Sequence, residues 1–230
     1  MQQFISWLNA NQIPLIALNF LLIIPALVLH ELSHGLVAYW LGDSTAKRAG
    51  RLTLNPLKHI DLFGTILMPL LLFIGSSGRF AFGAAKPVPI NPNNFRDRQK
   101  GILLTGIAGP AMNIILALTI GLLCRGLILF GIVAGVGSSS LFLVVVLLLY
   151  QFTYINLMFA FFNLIPIPPL DGSRVLQYVL PRNLRYQYNK LERWGFIVIL
   201  GIMILIPSFF RGYFTYTVDP IVRLLTGIVL

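Results

Sequence analysis

Charge is what this chain most lacks. Only 10% of its 230 residues are Asp, Glu, Lys or Arg, while 57% are hydrophobic and the mean hydropathy is +0.84. Soluble domains carry roughly a quarter of charged residues, so this balance excludes a soluble globular surface. Several apolar runs approach or exceed the about 20 residues that cross a bilayer as a helix. The chain therefore reads as an all-α polytopic membrane protein with one domain, 1–230.

Acidic residues are the scarcest: seven, against 17 basic ones, for a formal net charge of +10. In a soluble protein that excess would indicate a nucleic-acid partner. Here the basic residues sit in short loops beside apolar runs, which fits loop orientation and contact with anionic membrane lipids; no nucleic acid is expected. A single cysteine, Cys124, excludes an internal disulfide and reads as a packing residue. No basic signal-peptide n-region precedes the first apolar run, which is expected to act as its own insertion signal.

Apolar runs at 13–41, 101–130, 141–165 and 194–210 give about four full transmembrane helices. Residues 1–12 and the tail 211–230 are expected at the interface. The run at 62–78 has a short apolar core, Phe63 to Ile74, interrupted by Pro69. With the alternating, proline-containing 79–100 segment it reads as a re-entrant/β-hairpin element between the first two spans. Charge supports a dip and return. If 62–78 crossed, the basic loops 43–61 and 79–100 would lie on opposite sides, against the positive-inside bias. If it returns, both loops and the basic 173–193 segment are cytosolic, and the charge-poor 131–140 linker and the amino terminus lie outside.

Histidine and glutamate are rare as well, with three and two copies. Two of the histidines and one glutamate fall in a single apolar stretch, "VLHELSHGLVAYW", as His30, Glu31 and His34. Ionisable groups at membrane depth are costly and mark function. Four residues apart on a helix, His30 and His34 project from one face, with Glu31 beside them. This is the pattern of a zinc metalloprotease: two ligands, and a general base within reach of a water. Zinc needs at least a third protein ligand. A candidate on the same side is Asp171, in "NLIPIPPLDG" at the end of the third span. Pro166, Pro168 and Pro169 break regular helix there, and Gly172 permits unusual backbone angles. The plainer reading of Asp171 is a helix N-cap in a proline-rich exit loop.

"HELSH", "GPAMN" at 109–113 and "NLIPIPPLDG" together resemble the site-2 proteases, intramembrane zinc metalloproteases, in three ordered motifs over about residues 25 to 180. The resemblance implies one Zn2+ per chain held by His30, His34 and Asp171, with Glu31 as catalytic base. It implies substrate contacts at Asn163 and Asn113, with Gly109, Pro110 and Asn113 also shaping the site. It likens "AKPVPI", 85–90, to the family's extended segment near the cleft, where Lys86, Pro87 and Val88 would pair with an unwound substrate by strand addition. The substrates implied are single-span transmembrane proteins, cut at a bacterial inner membrane with the site toward the cytosol. The catalytic core would span about 13–180, followed by a C-terminal helix and tail, 194–230. No room is left for the PDZ or CBS domain that some relatives carry, so a minimal form is expected. His59 lies outside the motifs and reads as an interfacial side chain. Two alternatives are a catalytically inactive homologue, which would have lost Glu31 or a ligand, and a membrane zinc-binding or transport protein, which would want several ligand sets along a path.

Overall fold

The computed structural model describes residues 12–61, 64, 67, 85–135, 137 and 139–228. The expected interfacial stretch 1–12 and the expected re-entrant run 62–78 fall almost wholly outside them. Among the described residues all regular structure is helical, with no strand. Three helices are long and apolar enough to cross a membrane: α1 (Gln12–Trp40, its span counted from Leu21), α3 (Arg98–Val133) and α4 (Ser140–Asn163). A four-residue helix α2 (Thr45–Arg48) follows α1. After α4 come α5 (Gly172–Val179), α6 (Arg182–Lys190), α7 (Glu192–Leu205), α8 (Pro207–Thr217) and α9 (Asp219–Thr226).

The three long helices form for simple reasons. Each carries a long, predominantly apolar run, and caps fix where two of them start. Asp97 accepts hydrogen bonds from the backbone N–H groups of Gln99 and Lys100 at the head of α3, and Ser139 accepts from Phe142 N–H at the head of α4. At 36 residues α3 is the longest, about 54 Å by helical rise. It packs against α1, α4, α5 and α9. Its buried face repeats every fourth residue: Gly101, Thr105, Gly109, Asn113, Ala117 and Gly121. Small side chains along one stripe let neighbouring helices approach closely. On the opposite face Ile115, Leu118, Leu122 and Leu129 are exposed, as expected of side chains meeting lipid.

The C-terminal region departs from expectation. The expected fourth span, 194–210, is broken. α7 has 14 residues, about 21 Å, short of the about 30 Å hydrocarbon core. The axis turns by 95° between Glu192–Leu205 and Ser208–Thr226, and only if that bent pair is one span does the count reach four. Pro207 explains the break. It has no N–H to donate and pushes Ile206 out of helical geometry, to φ −132° and ψ 61°. The tail is likewise not a surface element throughout. Val222, Leu225 and Thr226 of α9 are buried, Val222 and Leu225 in a core with Ala117, Leu157 and Val218. Gly121 makes room for Leu225, whose Cβ would lie 2.8 Å from any Cβ added there. Arg125 donates to the Leu224 carbonyl at 2.8 Å, covering an open carbonyl near the end of α9.

Asp43 ties together the two segments on either side of residues 62–84. Its carboxylate accepts from Thr45 N–H, Thr45 Oγ1–H, Asn94 Nδ2–H and, at 2.7 Å, Asn91 N–H. Arg96 N–H donates to the Leu41 carbonyl at 3.2 Å. The end of α1 and the approach to α3 therefore lie together at one end of the bundle. Burial alone would raise the Asp43 carboxyl, but the bonds from Asn94, Thr45 and Asn91 outweigh it and hold the group below its ordinary value of 3.8.

Single cysteines introduced at Ser44 and Asn93 should react with an impermeant thiol reagent from the same side of sealed vesicles. Labelling from opposite sides would contradict the Asp43 junction. A carboxyl depressed by folding stabilises the fold above its unfolded value, and that contribution is lost as pH falls through the folded value. Thermal unfolding in detergent should therefore show Asp43→Asn about 1–3 kcal/mol less stable at neutral pH, with the gap closing below about pH 4.

Candidate metal centre

His30 and His34 project from α1 onto the small-residue stripe of α3. His30 Nδ1–H donates to Asn113 Oδ1 at 2.5 Å, and His34 Nδ1–H donates to the Thr105 carbonyl at 2.6 Å. Both acceptors are carbonyl oxygens, so both protons sit on Nδ1 and both Nε2 atoms present lone pairs. Those Nε2 atoms are 3.1 Å apart, and each lies 3.1 Å from Asp171 Oδ2. Three lone-pair donors facing one another cannot hydrogen-bond among themselves; a cation between them resolves the repulsion. Two ligands about 2.0 Å from a tetrahedral zinc lie about 3.3 Å apart, close to the spacing found. His30, His34 and Asp171 are all buried and are the one such grouping of His, Cys, Asp and Glu among the described residues. The donor set fits zinc.

Asp171 occupies the N-cap position of α5, yet its side chain makes no capping hydrogen bond. The carboxylate turns to the histidines instead, with Arg174 Nη1 3.7 Å from its other oxygen. The loop that delivers it is compact. A Cβ at Gly172 would sit 2.2 Å from the Leu164 carbonyl oxygen, and one at Gly195 of α7 would sit 1.7 Å from that of Pro168. Glycine is required at both close approaches. Gly109 has the same role at the metal centre itself. A Cβ there would lie 2.4 Å from His34 Nε2 and 2.5 Å from His30 Nε2.

A cavity of about 270 Å³ opens beside the three donors, lined by His30, Glu31, His34, Pro87, Val88 and Asn163 among others. Its other walls include Phe159, Phe162, Phe196 and Ile199, so it is largely apolar. Residues 85–90 run across it as a strap without regular pairing. Val88 N–H donates to Glu31 Oε2 at 3.0 Å and Lys86 N–H donates to the His59 carbonyl at 2.8 Å, while Arg51 donates to the Lys86 carbonyl at 2.7 Å. The intervening Pro87 and Pro89 have no N–H. Asn163 ends α4, with its Nδ2–H on the Phe159 carbonyl at 3.0 Å.

Three expected positions move. Asn113, expected at the substrate, is 0% exposed and does not line the cavity. It orients His30, and its Nδ2–H donates to Asn156 Oδ1 at 2.8 Å. Lys86 faces a second pocket on the other side of the strap. His59 is buried rather than interfacial, its Nε2–H donating to the Thr53 carbonyl at 2.9 Å. Thr105, Asn156 and Arg174 went unnoticed in the sequence. Thr105 serves through its backbone, which leaves no side-chain signal; Arg174 follows Asp171 by three residues, a spacing that could have been read as a helical pair.

A family model described as Peptidase family M50 matches residues 127–206, the stretch that carries Asn163 and Asp171. The chain is 39% identical over 196 residues to "Putative zinc metalloprotease YwhC" of Bacillus subtilis, covering 83% of each chain. It is 29% identical over 221 residues to "Putative zinc metalloprotease Rip2" of Mycolicibacterium smegmatis, covering 91% of this chain and 77% of that one. No solved structure matches at the same significance.

Replacing Asn113 by Ala should weaken zinc binding by about 10–100-fold, the usual effect of removing a hydrogen bond behind a histidine ligand. A substrate contact would instead raise KM and leave metal affinity unchanged, so metal titration of the purified protein separates the two roles. Gly109→Ala should also lose metal, although alanine is the better helix former by about 1 kcal/mol.

Proposed function

The chain belongs to peptidase family M50, the site-2 proteases, and is a zinc metallopeptidase; from that premise we propose that it hydrolyses peptide bonds of single-span transmembrane proteins within the bilayer. The observation that carries this reading is the position of the donor set along an apolar, span-length helix. His34 and His30 precede Trp40, the end of α1, by six and ten residues, about 9 and 15 Å by helical rise. Tyr39 and Trp40 are exposed, as aromatic residues at a membrane interface are. Two histidines set that far back in an apolar span support a site within the apolar layer, and the phenylalanine walls of the cavity beside them suit an apolar segment.

One zinc per chain would be held by His30, His34 and Asp171. When bound, it supplies Lewis-acid polarisation and an acidified water. Glu31 is the base that takes the proton of the attacking water and returns it to the leaving amine. The Val88 N–H is the donor that a substrate carbonyl would compete for, releasing the Glu31 carboxylate as the substrate enters. A helical segment offers no free carbonyl, so the substrate unwinds at this point. Asn163, on the same cavity wall, is placed to contact the extended backbone. Because Pro87 and Pro89 donate nothing, strand addition along the strap would rest on few donors, chiefly Val88. Basic residues 47, 48, 51 and 58 flank the end of α1, which favours the cytosolic side for this end. The bacterial sources of the relatives favour the cell membrane.

Glu31→Gln keeps size and removes basicity. Zinc content should stay at one per chain, while cleavage of a single-span substrate falls by about 10²–10⁴-fold. A Glu31→Gln protein that cleaves at the parent rate would sink this assignment; a parent that carries zinc but cuts only soluble peptides would move the reaction out of the bilayer.

A further inference from the structure

On the far side of the strap lies a second cavity, of about 310 Å³, whose walls include Arg51, Leu57, Lys58, Lys86 and Pro89. Three of these are cations. Among the described residues no carboxylate lines the pocket and none of the three cations makes an ion pair. Arg51 is 8% exposed; its Nη2 reaches the Lys86 carbonyl, but its Nε–H is buried with no acceptor. A buried, unpaired guanidinium donor bears its desolvation cost uncompensated. Like charges converging on one cavity repel, and a multivalent oxyanion offsets that repulsion and adds counter-charge beside the guanidinium.

The surroundings say where that anion comes from. Leu54 and Leu57, beside and on the pocket wall, are 65% and 76% exposed, an unfavourable arrangement in water and a favourable one against acyl chains. The loop follows directly on the Tyr39–Trp40 end of α1, where Lys47 Nζ donates to Tyr39 Oη at 2.8 Å. Cations, exposed leucines and aromatic residues gathered at one end of an apolar span are the composition of a headgroup zone. We propose that this pocket binds the phosphate of an anionic phospholipid headgroup.

The site shares a wall with the catalytic cavity. Lys86 and Pro89 line the basic pocket, and Pro87 and Val88 line the cavity beside His30. Arg51 already holds the strap by the Lys86 carbonyl. A phosphate gathered by Arg51, Lys58 and Lys86 braces the strap from behind, so lipid composition reaches the residue whose N–H holds Glu31.

Hydrogen exchange on the full chain in neutral detergent tests this. Short-chain phosphatidylglycerol should slow exchange at 51–60 and 85–90, and short-chain phosphatidylcholine should not. Lys58→Gln removes one charge from an exposed side chain and should need about fivefold more phosphatidylglycerol for the same protection. Thermal unfolding without lipid should be unchanged in that variant, which shows it is folded. Equal protection by phosphatidylcholine, protection confined to other segments, or identical titrations for Lys58→Gln and parent would each overturn the site. Inorganic phosphate protecting the same amides as well as the lipid does, at matched ionic strength, would overturn the lipid assignment in favour of a soluble phosphate.

Discussion

At Gly109 the backbone of α3 lies against the imidazole rings of His30 and His34, and that approach governs the rest of the site. The two rings are oriented by the Thr105 carbonyl and the Asn113 side chain, one turn on either side of Gly109 along the same stripe. One helix face thus sets the distance, the tautomer and the direction of both histidines. Moving α3 outward by the width of a methyl group would break both hydrogen bonds together. The stripe continues through Ala117 to Gly121, where α9 docks, so one small-residue face seats the donor set at one end and the tail at the other.

The delivery of Asp171 solves a related problem. An irregular loop in an apolar environment leaves backbone N–H groups without water to meet them. Three prolines between Pro166 and Pro169 remove three of those groups outright. The loop can then lie flush against α7 at Gly195, where any side chain would collide with the Pro168 carbonyl. Backbone that need not be solvated can be packed, and packing holds the carboxylate in place.

How much of this was legible follows from what each residue contributes. His30, Glu31 and His34 stood out because their cost in an apolar run demands an offsetting role, and the three long helices stood out by length. Asp171 remained open between ligand and cap, since both readings place a carboxylate before α5; only the missing cap bond separates them. Asn113 was visible as a polar residue, but sequence does not tell which face of a helix meets a histidine and which meets a cleft. The break at Ile206 was readable from Pro207, and the apolar count of 194–210 outweighed it. The docking of α9 depends on Gly121, about a hundred residues earlier, a pairing that no local pattern reveals.

Val88 and Lys86 spend their N–H groups inward, and the residues between and after them, Pro87 and Pro89, have none to spend outward. The strap pairs with no strand among the described residues, and an extended segment with an unpaired edge normally invites a neighbouring chain to zip onto it. This edge offers carbonyls without the alternating donors that a ladder requires. In a crowded membrane, where copies of the protein collide at one depth and in one orientation, the prolines guard against strap-to-strap aggregation.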